Sequence, residues 1–378
     1  MDVISRRVPA RVDQVIPAIV EHDAVSNHTF AAQRLLREMG FESEIYALII
    51  GPGCEGRVRP LREIARRGDG SQWVLYQCSI GSPAADAVVH HPGRKLLDYH
   101  NIVPEDLVEK WLPPLAEESR LGRRQLAALA PLVSVAFADS AFNAEELDSL
   151  GYPNPSVVPV LVESGNLLAP PDPRVLERFA ARKAHGGADW LFVGQIGPHK
   201  AQHDVISAFA AYRHSFDQHA RLHIVGREMG SIYIDALRRF VASAGLGGAV
   251  DFPGSVPVGT LAAYYETADA FVCLSDHEGF CAPIVEAMAR GTPVVAYAAA
   301  AVPETLGDAG VLVAEKDPAL VASVVHRLTN DDETRNTFIA RGRERAKRYA
   351  PERAERAFRQ LIDSALQRAA DSDAVPTN

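Results

Sequence analysis

The chain has little cysteine, a deficit of positive charge and no long apolar run. Its four cysteines, Cys54, Cys78, Cys273 and Cys281, are scattered, with no C-x-x-C pair and no histidine-rich spacing. A disulfide scaffold is excluded, the spacing that zinc sites need is missing, and reduced, mostly buried thiols are expected. Lys and Arg total 39 against 48 Asp and Glu, a formal charge of -9. That balance argues against a protein that gains affinity by neutralising nucleic-acid phosphates, so no nucleic-acid partner is expected. No uninterrupted apolar stretch reaches the ~18 residues of a membrane span, and the N-terminal MDVISRRVPARVDQVIP is charged where a signal peptide needs an apolar core. A cytoplasmic protein is the expectation.

With 378 residues, 47% hydrophobic and 23% charged, the chain is long enough for two or three domains with sizeable cores. Short β-branched runs alternate with amphipathic stretches, the pattern of parallel sheets covered by helices. Strands are expected near 14–18, 44–50, 73–77, 95–99, 133–138 and 157–160, and again near 190–193, 221–225, 250–252, 270–274, 294–297 and 311–313. The proline- and glycine-rich segment 153–173 reads as a linker, with a boundary near Asn166. The expected organisation is a domain over 1–166, a domain over 167–350, a terminal helix over 351–370 packing back towards the first domain, and a frayed tail over 371–378. Two doubly wound halves place a ligand cleft between them, at the carboxyl ends of the strands.

Residues 275–310, SDHEGFCAPIVEAMARGTPVVAYAAAAVPETLGDAG, concentrate the chemistry. A strand ends at DHEGF and a helix starts near Ala282 and Pro283, and helix N-termini attract phosphate. The backbone N–H groups of Gly279, Phe280, Cys281 and Ala282 are therefore candidate contacts to a phosphate or a sugar, with Gly279 allowing close approach. Glu278 precedes this helix and Glu286 lies about one turn into it, and a carboxylate accepting two hydroxyl hydrogen bonds suits a ribose or a hexose. The plainer alternative makes Glu278 a carboxylate on the helix dipole and Glu286 a solvated side chain. The helix stop at Gly291 and the buried strand after it make a solvated glutamate harder to place.

HEGFCAPIVEAMARGTPVVAY resembles the signature of the retaining glycosyltransferases of family 4: Glu278 and Glu286 with seven residues between them, a glycine and an aromatic after the first, and the EAMA-x-G-x-PVVA continuation. The likeness extends over most of residues 187–350, through DWLFVGQIGPHKAQHDVISAFA, HIVGRE and VDFPGSV. It implies an α/β fold of the GT-B type, two Rossmann-like doubly wound parallel-sheet domains facing a central cleft. It also implies retaining transfer of a sugar from a nucleotide-diphosphate donor, a UDP-, GDP- or ADP-sugar. By the same resemblance Glu278 and the amides after it meet the transferred sugar and the phosphates, Glu286 binds the ribose, and Lys200 contacts the diphosphate. Val225, Gly226, Phe252, Gly254 and Val256 fall beside the nucleobase. The family's arginine after VG is missing here, where Gly194 is followed by Gln195, and Arg227 stands near as a substitute cation. The alternatives are an exposed lysine, a surface arginine and ordinary strand ends.

In the first half, EHDAVSNHTFAAQRLLREMG reads as a loop entering a helix, with Ser26 or Asn27 as N-cap and Gly40 as stop. The resemblance puts Asp23, Ala24, Ser26 and Asn27 near the phosphates and the acceptor. His100 ends the strand KLLDY at the carboxyl edge of the first sheet, where relatives hold a histidine near the transferred sugar; the alternative is a structural histidine. Ser140 reads as a helix cap and Asn143 as a cleft residue. No second carboxylate stands out for a covalent intermediate, and the resemblance implies front-face displacement, with the leaving phosphate taking the acceptor proton. The only D-x-D string lies at 371–373 in the polar tail, and no metal is expected. The acceptor is read as a saccharide, a glycolipid or a small molecule. RVRPLREIARR, Arg57 to Arg67, would give at most peripheral contact with the inner face of a membrane, the alternative being a solvated helix. A sugar-nucleotide epimerase, a glycoside phosphorylase and a degenerate nucleotide-sugar binding protein are the rivals that the same fold admits.

Overall fold

The structure, a computed structural model, describes residues 11–21, 23–66, 72–161 and 169–374. The chain divides into two compact units, one of Met1–Ile102, Glu117–Glu163 and Pro351–Asn378, the other of Val103–Ala116 and Ser164–Ala350. The boundary expected near Asn166 and the residue Arg67 lie outside the described residues.

The first unit is built on a seven-stranded parallel sheet of β1 (Val12–Ile19), β2 (Ile45–Ile50), β3 (Arg59–Pro60), β4 (Trp73–Cys78), β5 (Arg94–Tyr99), β6 (Val133–Ala138) and β7 (Ser156–Val157), ordered β3-β2-β1-β4-β5-β6-β7. Helices α1 (Ala24–Glu38), α2 (Pro83–His90), α3 (Pro113–Leu129) and α4 (Ala141–Ser149) lie along this half of the chain. Successive strand residues face opposite sides of the sheet. Accordingly Leu75 and Leu96 join one apolar cluster while Tyr76 and Leu97 join another. Both faces are covered, which is why the strands read as near-continuous apolar runs.

The second unit holds a six-stranded parallel sheet of β8 (Asp189–Val193), β9 (Arg221–Val225), β10 (Val250–Gly254), β11 (Ala270–Cys273), β12 (Val294–Tyr297) and β13 (Val311–Val313), ordered β10-β9-β8-β11-β12-β13. Its helices are α5 (Pro173–Lys183), α6 (Gln202–Ser215), α7 (Ser231–Ser243), α8 (Val258–Thr267), α9 (Ala282–Arg290), α10 (Val302–Leu306), α11 (Pro318–Asn330) and α12 (Asp332–Ala346). Trp190, Phe192, Phe209 and Leu222 anchor its core.

The structure departs from the sequence expectations at four places. Val103–Ala116, expected within the first domain, groups with the second unit, because Trp111 packs edge-on against Tyr233 with ring centroids 5.2 Å apart. The terminal helix α13 (Pro351–Ala374) continues through residues expected to fray. Phe358, Leu361 and Ile362 seat it in the cluster of Leu75 and Phe137, and Arg34 pairs with Glu355 at 2.5 Å. The described part of RVRPLREIARR is not the solvated helix of the plainer alternative: Arg59–Pro60 is an edge strand, Leu61–Arg66 a 3-10 helix, and Ile64 is buried in the core. Finally, Asp23 rather than Ser26 or Asn27 caps α1, accepting from the Ser26 N–H at 3.0 Å. Among the described residues, no helix is long and apolar enough to cross a membrane.

Candidate functional site

In open parallel sheets, ligands bind where strand order reverses, beyond the carboxyl ends. In the second unit that point lies between β8 and β11. The loop after β8 carries Gly194 to Lys200 and the loop after β11 carries Ser275 to Cys281, and the Asp276 N–H donates to the His199 carbonyl at 2.9 Å. A 3-10 turn over Pro198–Lys200, followed by Ala201 at φ 49°, turns the chain into α6 and sets the lysine. Lys200 Nζ meets Glu278 Oε2 at 2.8 Å. Burial works against the ammonium, the Glu278 carboxylate more than offsets it, and the Lys200 pKa rises above that of an ordinary lysine.

The loop bearing Glu278 is fixed on both sides. The Ala301 N–H donates to the Glu278 carbonyl at 3.1 Å, Thr305 Oγ1 donates to the Phe280 carbonyl at 2.5 Å, and the Phe280 ring packs edge-on against Tyr349. Lys316 binds Asp276 at 2.5 Å and Asp204 at 3.0 Å. Cys281 occupies the N-cap of α9 at φ 67° with no side-chain cap hydrogen bond, so the N–H of Ala282 opens the helix without a capping acceptor, a geometry that favours an anion. Gly279 and Ala282 are partly exposed, Phe280 and Cys281 buried.

Glu286, in the second turn of α9, accepts a hydrogen bond from Tyr265 Oη at 2.7 Å. Burial raises the Glu286 pKa, and the Tyr265 hydrogen bond and Arg290 oppose that rise. Tyr265 is itself buried, and burial lifts its phenol well above the ordinary range. Glu286 is therefore a held carboxylate in the partly buried shell, not the solvated side chain of the plainer alternative.

Val225, Gly226, Arg227, Phe252, Gly254 and Val256 lie at the ends of β9 and β10, knitted to the end of β8. Gly194 N–H donates to the Val225 carbonyl, Gly226 N–H to the Gly254 carbonyl and Ile196 N–H to the Arg227 carbonyl. A Cβ on Gly226, at φ 148°, would lie 1.8 Å from the Gly194 carbonyl oxygen, so backbone approach alone requires glycine there. Gln195 is partly buried and its carbonyl accepts from Gln202 Nε2, while Arg227 is exposed. Phe252 packs at the edge of the core.

His100, Asp23, Ala24, Ser26 and Asn27 belong to the first unit. The His100 side chain is buried, and its Nε2 lies 2.6 Å from Gln77 Oε1. Gln77 Nε2 donates to Gln14 Oε1, and Gln14 Nε2 donates to the Thr29 carbonyl. This chain of amides assigns the hydrogen to His100 Nε2 and leaves Nδ1 as an acceptor, 3.9 Å from Asp139 Oδ2. Burial pushes the His100 pKa down to about 4, with Asp98 opposing and His28 assisting. His28 Nδ1 accepts from the Leu161 N–H, so its Nε2–H donates to Asp98 Oδ2 at 2.7 Å. Ser140 caps α4 through the Asn143 N–H, and Asn143 Nδ2 donates to Asp139 at 2.5 Å. The Ser26 hydroxyl is committed, donating to Asp23 and accepting from the Val20 N–H. Ala24 is exposed and Asn27 partly buried. Sequence reasoning missed Tyr265, Gln77, Gln14, Asp98 and His28; the two glutamines inside the apolar strands VDQVIPAI and WVLYQC were the available signal.

Residues 174–345 match the family described as glycosyl transferases group 1. The second unit belongs to that family. Its curated relatives include a D-inositol 3-phosphate glycosyltransferase of Thermomonospora curvata, 36% identical over 158 residues, 40% of this chain and 36% of the relative. The O-antigen chain mannosyltransferase B of Escherichia coli is 34% identical over 116 residues, 31% of this chain and 30% of the relative. The chain thus spans about a third of the length of these relatives in the matched region. Over the whole fold, the structure of Anabaena Alr3699/HepE in complex with UDP and glucose superposes with a TM-score of 0.74 at 14% identity, covering 94% of this chain and 100% of that one. Two Rossmann-like units of the GT-B type are therefore the fold of this chain.

Proposed function

We propose that the protein is a retaining glycosyltransferase that moves a sugar from a nucleoside-diphosphate donor to a hydroxyl of a saccharide, glycolipid or small-molecule acceptor. The observation that carries this is the Lys200–Glu278 pair at the switch point of the second sheet, with Glu286 held by Tyr265 one helix away. The names of the group 1 relatives and the UDP and glucose in the structurally similar protein support a nucleotide-sugar donor.

The donor diphosphate lies against the N-terminus of α9, where the amides of Gly279 to Ala282 and the helix dipole face its negative charge. Lys200 offsets the charge that builds on the departing phosphate, and such a donor is worth ~3 kcal/mol of barrier. Glu278 holds that ammonium and meets the transferred sugar. Glu286 accepts from the ribose hydroxyls. With Gln195 in the place of an arginine, Arg227 at the neighbouring strand end supplies the second cation. Transfer proceeds on the donor's front face: the anomeric carbon–oxygen bond breaks, the acceptor oxygen bonds to that carbon from the same side, and the leaving phosphate oxygen takes the acceptor proton. His100, neutral with Nδ1 as acceptor, orients a sugar hydroxyl.

The test is a calorimetric panel of UDP, GDP, ADP and their sugar conjugates on wild type and Glu286→Ala. One nucleotide at roughly 100 times its Kd should stabilise the wild type by about 2.7 kcal/mol, and the variant should lose that gain. If no nucleotide binds the wild type, the proposal fails.

A further inference from the structure

Among the described residues, two groups of three side chains bring metal-ligating atoms within 4.8 Å of one another: His28 with Asp98 and His100, and Cys273 with Glu278 and Cys281. The first is spent, since both His28 nitrogens and His100 Nε2 already hold hydrogen-bond partners. The second is not. Eight positions apart in the chain, Cys273 ends β11 and Cys281 starts α9, and the loop between them doubles back to bring the sulfurs to 3.9 Å. At a Zn–S length of about 2.3 Å, sulfurs 3.9 Å apart subtend roughly 116° at the ion, close to tetrahedral. A disulfide would instead need them about 2 Å apart.

We propose that Cys273, Cys281 and Glu278 form a binding site for a soft divalent cation such as Zn2+. Cys281 is held at φ 67°, a backbone state that a non-glycine residue adopts at a cost and that turns its sulfur towards Cys273. The Ser275 hydroxyl lies 3.3 Å from the Cys273 sulfur, a hydrogen bond that orients the ligand from outside the coordination shell. Glu278 engages Lys200 through Oε2, and a carboxylate has a second oxygen to offer. The charge balances: each thiol releases a proton to water and gives a lone pair to the ion. Two thiolates, the Glu278 carboxylate, the Lys200 ammonium and a dication sum to zero, as do the two thiols and the ion pair without metal. Nothing is oxidised or reduced. Three protein ligands leave one tetrahedral position open.

The site stands on its own geometry. Its consequence, that bound metal occupies the Glu278 oxygen that would meet the sugar and slows transfer, rests on the proposed function. The test is therefore read on the full chain without donor. Reduced protein titrated with Co2+ should develop the near-ultraviolet thiolate-to-cobalt absorption, saturating at one ion per chain and reversed by Zn2+. Cys273→Ser and Cys281→Ser should each weaken it at least 10-fold, while Cys54→Ala with Cys78→Ala should not change it. In wild type, Zn2+ should slow alkylation of Cys273 and Cys281 at least 10-fold and leave Cys54 and Cys78 unaffected, a readout that needs no variant to fold. Absence of the cobalt band, its survival in both site variants, or unprotected alkylation overturns the proposal.

Discussion

Lys200 and Glu278 come from loops after different strands and meet at 2.8 Å with both side chains largely withdrawn from water, at 18% and 9% exposure. Breaking a pair of this kind leaves a buried charge with no partner, which costs about 3 kcal/mol. Lys200→Met should therefore lower the unfolding free energy by about that amount, and Glu278→Gln in the same chain should restore much of it. Both should transfer sugar far more slowly: loss of one charge-stabilising donor reduces turnover by about 100-fold to 1,000-fold. Denaturant midpoints with turnover numbers measured on the same preparations separate the two effects. Recovery of activity along with stability in the double variant would sink the catalytic role.

Glu286 carries a pKa raised by burial, against the Tyr265 hydrogen bond and Arg290. The native state thus binds a proton that the unfolded chain has already released, and Glu286 ionisation subtracts stability as pH rises through the raised value. Glu286→Gln should stabilise the free protein at pH 7 while weakening nucleotide binding by about 10-fold to 100-fold, the worth of a hydrogen bond to a charged group. Tyr265→Phe removes an interaction that favours the carboxylate, so nucleotide binding should fail at a higher pH than in wild type. Titration calorimetry between pH 5 and 8 checks both, and an unchanged pH profile in Tyr265→Phe would count against the assignment.

Gly226 sits at φ 148°, where a Cβ would come within 1.8 Å of the Gly194 carbonyl oxygen. Gly226→Ala forces the ends of β8 and β9 apart at a cost of about 2 kcal/mol or more. The expected result is a lower urea midpoint and weaker nucleotide binding together, because the same loops face the proposed base. A variant of wild-type stability would show that the loops yield freely.

Much of this was legible in the sequence, and the misses share a physical cause. Alternating β-branched runs and amphipathic stretches located the main strands because both faces of each parallel sheet are buried. The Glu278–Glu286 spacing was legible because strand, loop and helix are consecutive in the chain. Tyr265 was not, since it reaches Glu286 from another helix and only tertiary packing of α8 on α9 reveals it. Cys273 and Cys281 looked unrelated because their spacing fits no standard ligand pattern, and only the doubled-back loop brings the sulfurs together. Asp23 displaced Ser26 as the α1 cap because the Ser26 hydroxyl is occupied by the Val20 N–H; local preference could not choose between three capping residues in a row of five. Edge strand β3 has two residues and no periodicity to read.

His100 gives the sharpest pH test in the first unit. Its pKa is depressed to about 4 by burial, with Asp98 opposing and His28 assisting, while an unfolded histidine titrates near 6.5. Between those values the unfolded chain binds the proton and the native chain does not, so stability rises with pH across that window and is lost as pH falls through it. The span corresponds to about 3 kcal/mol. His100→Asn keeps a polar side chain beside Gln77 but has no proton to gain, so the difference in stability between wild type and variant should shrink as pH drops from 7 to 4. Activity should be insensitive to His100 protonation between pH 6 and 8, because the ring stays neutral there. The proton on Nε2 is fixed by Gln77, whose own amide is fixed by Gln14, so Gln77→Glu should reverse the shift: a carboxylate at Nε2 favours the imidazolium and brings the titration towards neutral pH. Histidine resonances followed by NMR across this range decide it. A His100 pKa left near 4 in Gln77→Glu would mean that burial alone, and not the amide chain, sets the state of the ring.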